Sequence, residues 1–199
     1  GALSNQTRAV HAGTTSPFSN IIDFVTIATT GDAQNFGDLV EPQSLFAGAS
    51  SSTRGVFGGG RNNTPSENTL HNTMQYITIA TTGDAQDFGD LQAIRYGHTG
   101  FSSPTRGIFA GGATPTAVRD MQFITIASTG DAQDFGDLIA KTEGSRGVND
   151  GVRMISAFGF DRSNWSYSLD LQVTTIASTG DAVDTGFNAI DNQSYCGHC

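Results

Sequence analysis

Carboxylates recur in this chain at a spacing of three, as Asp84, Asp87 and Asp90 and again as Asp131, Asp134 and Asp137. Oxygen ligands grouped in this way suit Ca²⁺, a hard cation. The spacing departs from an EF-hand loop, which also needs a distal bidentate Glu. Asp side chains after Thr-Gly satisfy turn backbone on their own. We read the acids as turn residues and expect no metal or other cofactor.

A second candidate is Cys196-Gly197-His198-Cys199, which has the spacing of a dithiol redox motif. Such a pair is activated at a helix N-terminus that follows a strand, where the dipole lowers the thiol pKa. Tyr195 precedes this one and no βαβ pattern surrounds it. Two cysteines and His198 also fall short of the four ligands of a closed zinc site. A pair of strand residues, reduced or oxidised, is the reading we adopt.

No Ser-His-Asp arrangement, phosphate-cradling Gly-Lys-Ser/Thr loop or His-Glu-X-X-His motif is present. The Gly-Gly-Gly at 58–60 closes an apolar strand and has no following lysine. Glu41, Glu67 and Glu143 supply carboxylates for glycoside hydrolysis, but nothing in their spacing brings two within hydrolytic distance. The chain is read as non-catalytic. Its one tryptophan lies in Arg162-Ser163-Asn164-Trp165-Ser166-Tyr167, where indole and phenol faces stand beside amide and guanidinium donors. That combination can stack on and hydrogen-bond to a sugar. The competing role for Trp165 is to cover a hydrophobic seam.

The elements that must position these groups are set by repetition. Close relatives of Thr-Ile-Ala-Thr-Thr-Gly-Asp-Ala-Gln-Asp-Phe-Gly-Asp-Leu start at Thr26, Thr78, Thr125 and Thr175, and their Gly31, Gly83, Gly130 and Gly180 lie 52, 47 and 50 residues apart. That period is the length of a small four-stranded sheet with its turns. One domain, 1–199, is expected, with its core built between successive units. Ahead of each copy stands a related segment: Thr-Arg-Ala-Val-His-Ala-Gly at 7–13, Thr-Arg-Gly-Val-Phe-Gly-Gly at 53–59, Thr-Arg-Gly-Ile-Phe-Ala-Gly-Gly at 105–112 and Val-Arg-Met-Ile-Ser-Ala-Phe-Gly at 152–159. Each reads as a strand ending at glycine.

The next strand, 74–80 or 121–127, carries Tyr76 or Phe123 on one face and Ile77 with Ile79, or Ile124 with Ile126, on the other. Apolar groups on both faces require a sheet on each side. A tight Thr-Gly-Asp turn and an outer strand beginning at Asp87 complete an antiparallel meander, and a strand around 96–101 begins the next unit. The recurring Arg8, Arg54, Arg106 and Arg153 are expected to bridge units to the turn acids.

An Arg, an apolar strand ending in Gly-Gly, a variable loop, a strand with a central aromatic, a turn, and an aromatic followed by Leu together resemble kelch-type β-propeller repeats across the whole chain. Phe36, Phe88 and Phe135 stand where kelch repeats usually have Trp, and the fourth unit has Phe158-Gly159 and Thr185 in place of the usual residues. The Thr-Ile-Ala-Thr-Thr-Gly-Asp wording is similar to repeats of virion and tail-associated proteins of phages that infect marine cyanobacteria. The resemblance implies an all-β, four-bladed propeller of four-stranded antiparallel blades. The segment 1–6 has no full strand of its own in this reading, so the N- and C-terminal strands share the last blade and close the ring. The alternative is that the chain is one period of a longer array or of a multi-chain ring.

In such a propeller the connections between second and third strands share one face with the links between units. These connections, 14–21, 61–73, 113–120 and 160–170, vary while the turns do not. Loops on a rigid scaffold are a common place for recognition. We take Arg61, His71, Arg119, Arg162, Asn164, Trp165 and Tyr167 as the candidate ligand-binding residues. A net charge of −9, with one lysine and nine arginines scattered along the chain, argues against nucleic acid. No apolar run approaches the length of a membrane helix, so membrane insertion is not expected. The chain begins at Gly1 without a signal segment and reads as processed, excised or partial.

The expected function is a virion or extracellular structural and attachment module that recognises a cell-surface glycan or protein receptor, with other virion or fibre subunits as partners. A purely architectural repeat and a propeller-type glycosidase are the alternatives.

Overall fold

A computed structural model of the protein describes residues 1–15, 18–64, 67–157, 159–161 and 163–188. Among these every regular element is a strand. The first sheet contains β1 (Ala2–Ser4), β2 (Arg8–Thr15), β3 (Phe18–Thr26) and β4 (Gln34–Asp38). The second contains β5 (Ala47–Ser50) and β6 (Arg54–Gly58), then the hairpin β7 (Arg61–Thr64) and β8 (Glu67–Leu70), and returns with β9 (Thr73–Thr78) and β10 (Gln86–Asp90). The third contains β11 (Thr99–Ser102), β12 (Arg106–Ala110), β13 (Asp120–Thr125) and β14 (Gln133–Asp137). The fourth contains β15 (Arg146–Asn149) and β16 (Arg153–Ala157), the hairpin β17 (Phe160–Asp161) and β18 (Ser166–Tyr167), and then β19 (Asp170–Thr175) and β20 (Val183–Asn188). Each of the four sheets is an antiparallel meander of four strands, and the two hairpins form separate two-stranded sheets.

The strand with apolar groups on both faces lies between sheets as its pattern requires. Ile77 and Ile79 join the core shared with the first sheet, while Tyr76 packs into the core shared with the third. Ile124 and Ile126 repeat this one unit later, with Phe123 facing the fourth sheet. The outer strands of the first three sheets each hold a β-bulge whose extra residue is Phe36, Phe88 or Phe135. A bulge re-aims one side chain, and here it buries the ring in the seam ahead, at 2% exposure in all three cases. Burial of a Phe side chain stabilises the fold by roughly 1.5–3 kcal/mol.

The repeated motif closes these seams with the same contacts each time. Backbone N–H groups of Gly83, Gly130 and Gly180 donate to the carbonyls of Phe36, Phe88 and Phe135 in the preceding sheet, at 2.7 Å each. The carboxylates of Asp84, Asp131 and Asp181 accept the N–H of Asp38, Asp90 and Asp137 at 2.9–3.0 Å. Gln75, Gln122 and Gln172 accept from Val40, Gln92 and Ile139. Gly89 runs so close to the next sheet that a Cβ there would lie 2.6 Å from the backbone of Gly130.

Several expectations are corrected. The arginines do bridge sheets, but to carbonyls and not to the turn acids: Arg8, Arg54 and Arg106 donate to Ile79, Ile126 and Ile176 at 2.9–3.2 Å. Their guanidinium groups lie over Phe24, Tyr76 and Phe123, 4.3–4.6 Å from the ring centroids. A carbonyl needs no desolvated partner charge, and an aromatic face adds a cation–π contact. The N-terminal segment has a strand of its own, because β1 pairs with β2 in the register Leu3↔Val10 and completes the first sheet. The expected shared blade therefore does not supply this position, and the C-terminal residues that were to fill it, 191–199, lie outside the described residues. The connection expected at 14–21 is largely strand, since the ladder between β2 and β3 continues to Thr15↔Phe18.

Candidate functional site

The links between sheets and the connections within them do meet on one face. Isolated bridges join Ser44 to Arg61, Tyr96 to Ala113 and Glu143 to Phe160. In each case an inter-sheet link pairs with the residues leaving the second strand of the next sheet, which is the grouping the repeat implies. Two of the expected loops, 61–73 and 160–170, are built as the hairpins β7–β8 and β17–β18.

The hairpin β17–β18 carries the most distinctive surface. Phe160 exchanges two backbone hydrogen bonds with Glu143, both 2.9 Å, which anchors the hairpin's base. At the tip, Asp161 accepts from the amide and hydroxyl of Ser163, and Asn164 accepts from the amide of Ser166 at 3.1 Å. These are Asx turns, in which a short polar side chain replaces a backbone acceptor. The Ser163 hydroxyl, joined by its amide, holds the Asp161 carboxyl below the usual carboxylate range. In the centre of the second turn Trp165 adopts φ +53°, one of only two non-glycine residues with positive φ among the described residues. Its indole meets the Phe160 ring edge-on at 5.7 Å, and the Tyr167 ring lies tilted to Phe160 at 4.8 Å.

Trp165 is 80% exposed and Tyr167 is 45% exposed. The tryptophan covers no hydrophobic seam. Three rings thus form an aromatic ridge on an outward hairpin, with Asn164 beside it. Arg162, which the sequence places in this group, lies outside the described residues.

The remaining candidates sit elsewhere on the loops. The Arg61 guanidinium lies 5.1 Å from the centroid of Tyr96. His71 Nδ1 is 3.5 Å from a Glu41 carboxylate oxygen. Arg119 Nε lies 3.1 Å from Asp137. Each is tied to a neighbouring link or strand, and none of these contacts joins the ridge. Among the described residues, no group of three or more His, Cys, Asp or Glu converges as a metal site. No helix is long and apolar enough to cross a membrane there either. The Cys196 to Cys199 motif lies outside the described residues.

Two features beneath this face escaped the sequence. Arg95, 1% exposed, donates to the Gly111 carbonyl at 3.1 Å and pairs with the Asp120 carboxylate, which also accepts from Gln122. Burial pushes the Asp120 carboxyl up, but the Arg95 hydrogen bond and charge outweigh it and hold it below the ordinary range. The equivalent positions in neighbouring units are Gln43 and Thr142, so repetition provides no signal for an ion pair here. The second feature is a cavity of about 410 Å³ where the inner strands converge, lined in part by Ala2, Gly48, Gly100 and Arg146 from the four sheets and by His98. Burial, reinforced by the Arg95 charge, lowers the His98 pKa to about 3, so the imidazole is neutral.

Compared with family models and with curated proteins, the chain matches none significantly. The kelch-like and phage-tail resemblance accordingly rests on the motif residues themselves.

Proposed function

We propose that the protein is a non-catalytic attachment module of a virion or extracellular assembly, in which the four sheets act as blades of a kelch-like propeller and present recognition loops on one face. The observation that carries the reading is the ridge of Phe160, Trp165 and Tyr167. A large aromatic held four-fifths exposed, in a strained backbone region and braced by two Asx turns, loses little further freedom on binding. Its ligand is a cell-surface glycan or protein that packs a flat apolar face on the indole and hydrogen-bonds to the polar residues around it.

Trp165→Ala tests the reading. Only its edge contact with Phe160 is lost on folding, so stability changes by less than about 1 kcal/mol. Binding falls by at least about 30-fold, the equivalent of a hot-spot loss of about 2 kcal/mol. A glycan array and a cell-adhesion assay, with denaturant unfolding in parallel, measure both. Adhesion or glycan binding that survives unchanged in Trp165→Ala and Tyr167→Ala would dismiss this surface.

A further inference from the structure

The three seams between consecutive sheets are copies of one interface, and each end of the sheet series displays one unused half of it. On the first sheet, Val25, Ile27 and Ala33 occupy the positions of Ile77, Ile79 and Ala85 in the second. Ile79 is fully buried against the preceding sheet, whereas Ile27 is 54% exposed and Val25 is 38% exposed. On the fourth sheet, Val148 and Ile155 occupy the positions of Phe101 and Ile108 in the third. Phe101 and Ile108 are buried against the following sheet, whereas Val148 is 48% exposed and Ile155 is 38% exposed.

The polar contacts stop at the same two faces. Arg153 stands where Arg8, Arg54 and Arg106 reach the next sheet's isoleucine carbonyl, and among the described residues it makes no such bond. Asp32 and Gly31 stand where Asp84 and Gly83 clasp the preceding sheet, and among the described residues they make no such contact. A Cβ at Gly186 would meet no atom within 4 Å, while the equivalent Gly37, Gly89 and Gly136 are each pressed against the next turn. Among the described residues the two faces share no buried core, since the buried clusters unite the first sheet with the second, the second with the third and the third with the fourth.

We infer that the fourth sheet of one molecule docks on the first sheet of a second copy of this chain, forming the same seam head to tail. Continuity with an interface already made three times within the chain selects this occupant. The opposite charges of Arg153 on one face and of Asp23 and Asp32 on the other agree with it. The contact is heterologous, so it propagates beyond a pair. Thr185 stands where the seams within the chain have a buried Phe, and His11 where the second and third sheets have Phe57 and Phe109. The intermolecular seam is therefore weaker than the internal ones and is reversible. The inference does not depend on the aromatic ridge, which lies on a separate hairpin.

Sedimentation velocity over a wide concentration range, with Ile27→Asp and Ile155→Asp as variants, tests it. Wild type gives a series of species growing with concentration. Each variant alone remains monomeric, with circular dichroism and a thermal melt verifying its fold. An equimolar mixture of the two produces dimers and nothing larger, because one intact fourth-sheet face then meets one intact first-sheet face. Wild type that stays monomeric throughout overturns the inference, as does an Ile27→Asp protein that associates like wild type. Trp165→Ala has no effect on any of these results.

Discussion

The ion pair of Arg95 and Asp120 predicts an asymmetry that can be measured. Arg95 is 1% exposed, while the Asp120 side chain is 36% exposed. Removing the carboxylate by Asp120→Ala leaves a guanidinium charge in the interior with only carbonyl partners, and breaking a buried pair in this way costs about 3–5 kcal/mol. Removing the charge by Arg95→Met keeps much of the packing volume. It leaves Asp120 within reach of water and strands one strong acceptor, the Gly111 carbonyl, at a cost of about 1–2 kcal/mol. The double variant, with no charge left inside, recovers most of the loss caused by Asp120→Ala. Urea unfolding of the three variants gives the comparison directly. If Arg95→Met destabilises as much as Asp120→Ala, or if the double variant is simply additive, the cost does not come from burying an unpaired charge and the reasoning is wrong. Because the pair joins the link before the third sheet to the start of β13, Asp120→Ala should also increase hydrogen exchange on the loop face near Gly111.

Gly89→Ala should lose at least about 2 kcal/mol in denaturant unfolding, because the new Cβ has backbone in its way and φ is +133°. Gly186→Ala, in open space at φ +75°, should cost only about 1 kcal/mol, and equal losses would mean that seam closeness is not the reason for the glycine. His98 makes stability depend on pH. Its folded pKa of about 3 lies below the unfolded value near 6.5, so the unfolded chain takes up a proton first, and stability falls as pH drops between those values. The slope from this one group is up to about 1.4 kcal/mol per pH unit. Urea titrations of wild type and His98→Phe between pH 6.5 and 4.5 isolate it, and parallel curves would show that His98 does not drive the dependence.

Much of the scaffold was legible because it is local and repeated. The β-branched run at 74–80 lies within β9 and its following turn, and Asp87-Phe88-Gly89-Asp90 lies within β10. Apolar groups on alternate sides of that run left no arrangement except a sheet on each face. The candidate residue Trp165 was visible by its uniqueness, and its neighbours Asn164 and Tyr167 by proximity. Phe160, which orders the ridge, was not, because a single aromatic in an irregular loop carries no periodic signal. Arg61, His71 and Arg119 were grouped by sharing a face, yet each was captured by a nearby partner, Arg61 and His71 by a neighbouring link and Arg119 by Asp137 at the end of β14.

By itself the sequence determined the repeating unit and most of its strands, since turn chemistry and alternation act over a few residues and every copy spells them again; it did not show that the turn acids accept from the preceding sheet. Tertiary structure alone decided that the arginines seek carbonyls, that Ala2–Ser4 completes the first sheet, that Arg95 is paired with Asp120, and that Trp165 faces outward. These outcomes depend on which groups distant in the chain share one desolvated space. The two exposed end faces belong to the same category: the motif that writes them is the motif that is buried elsewhere, and only the presence or absence of a neighbouring sheet separates core from surface.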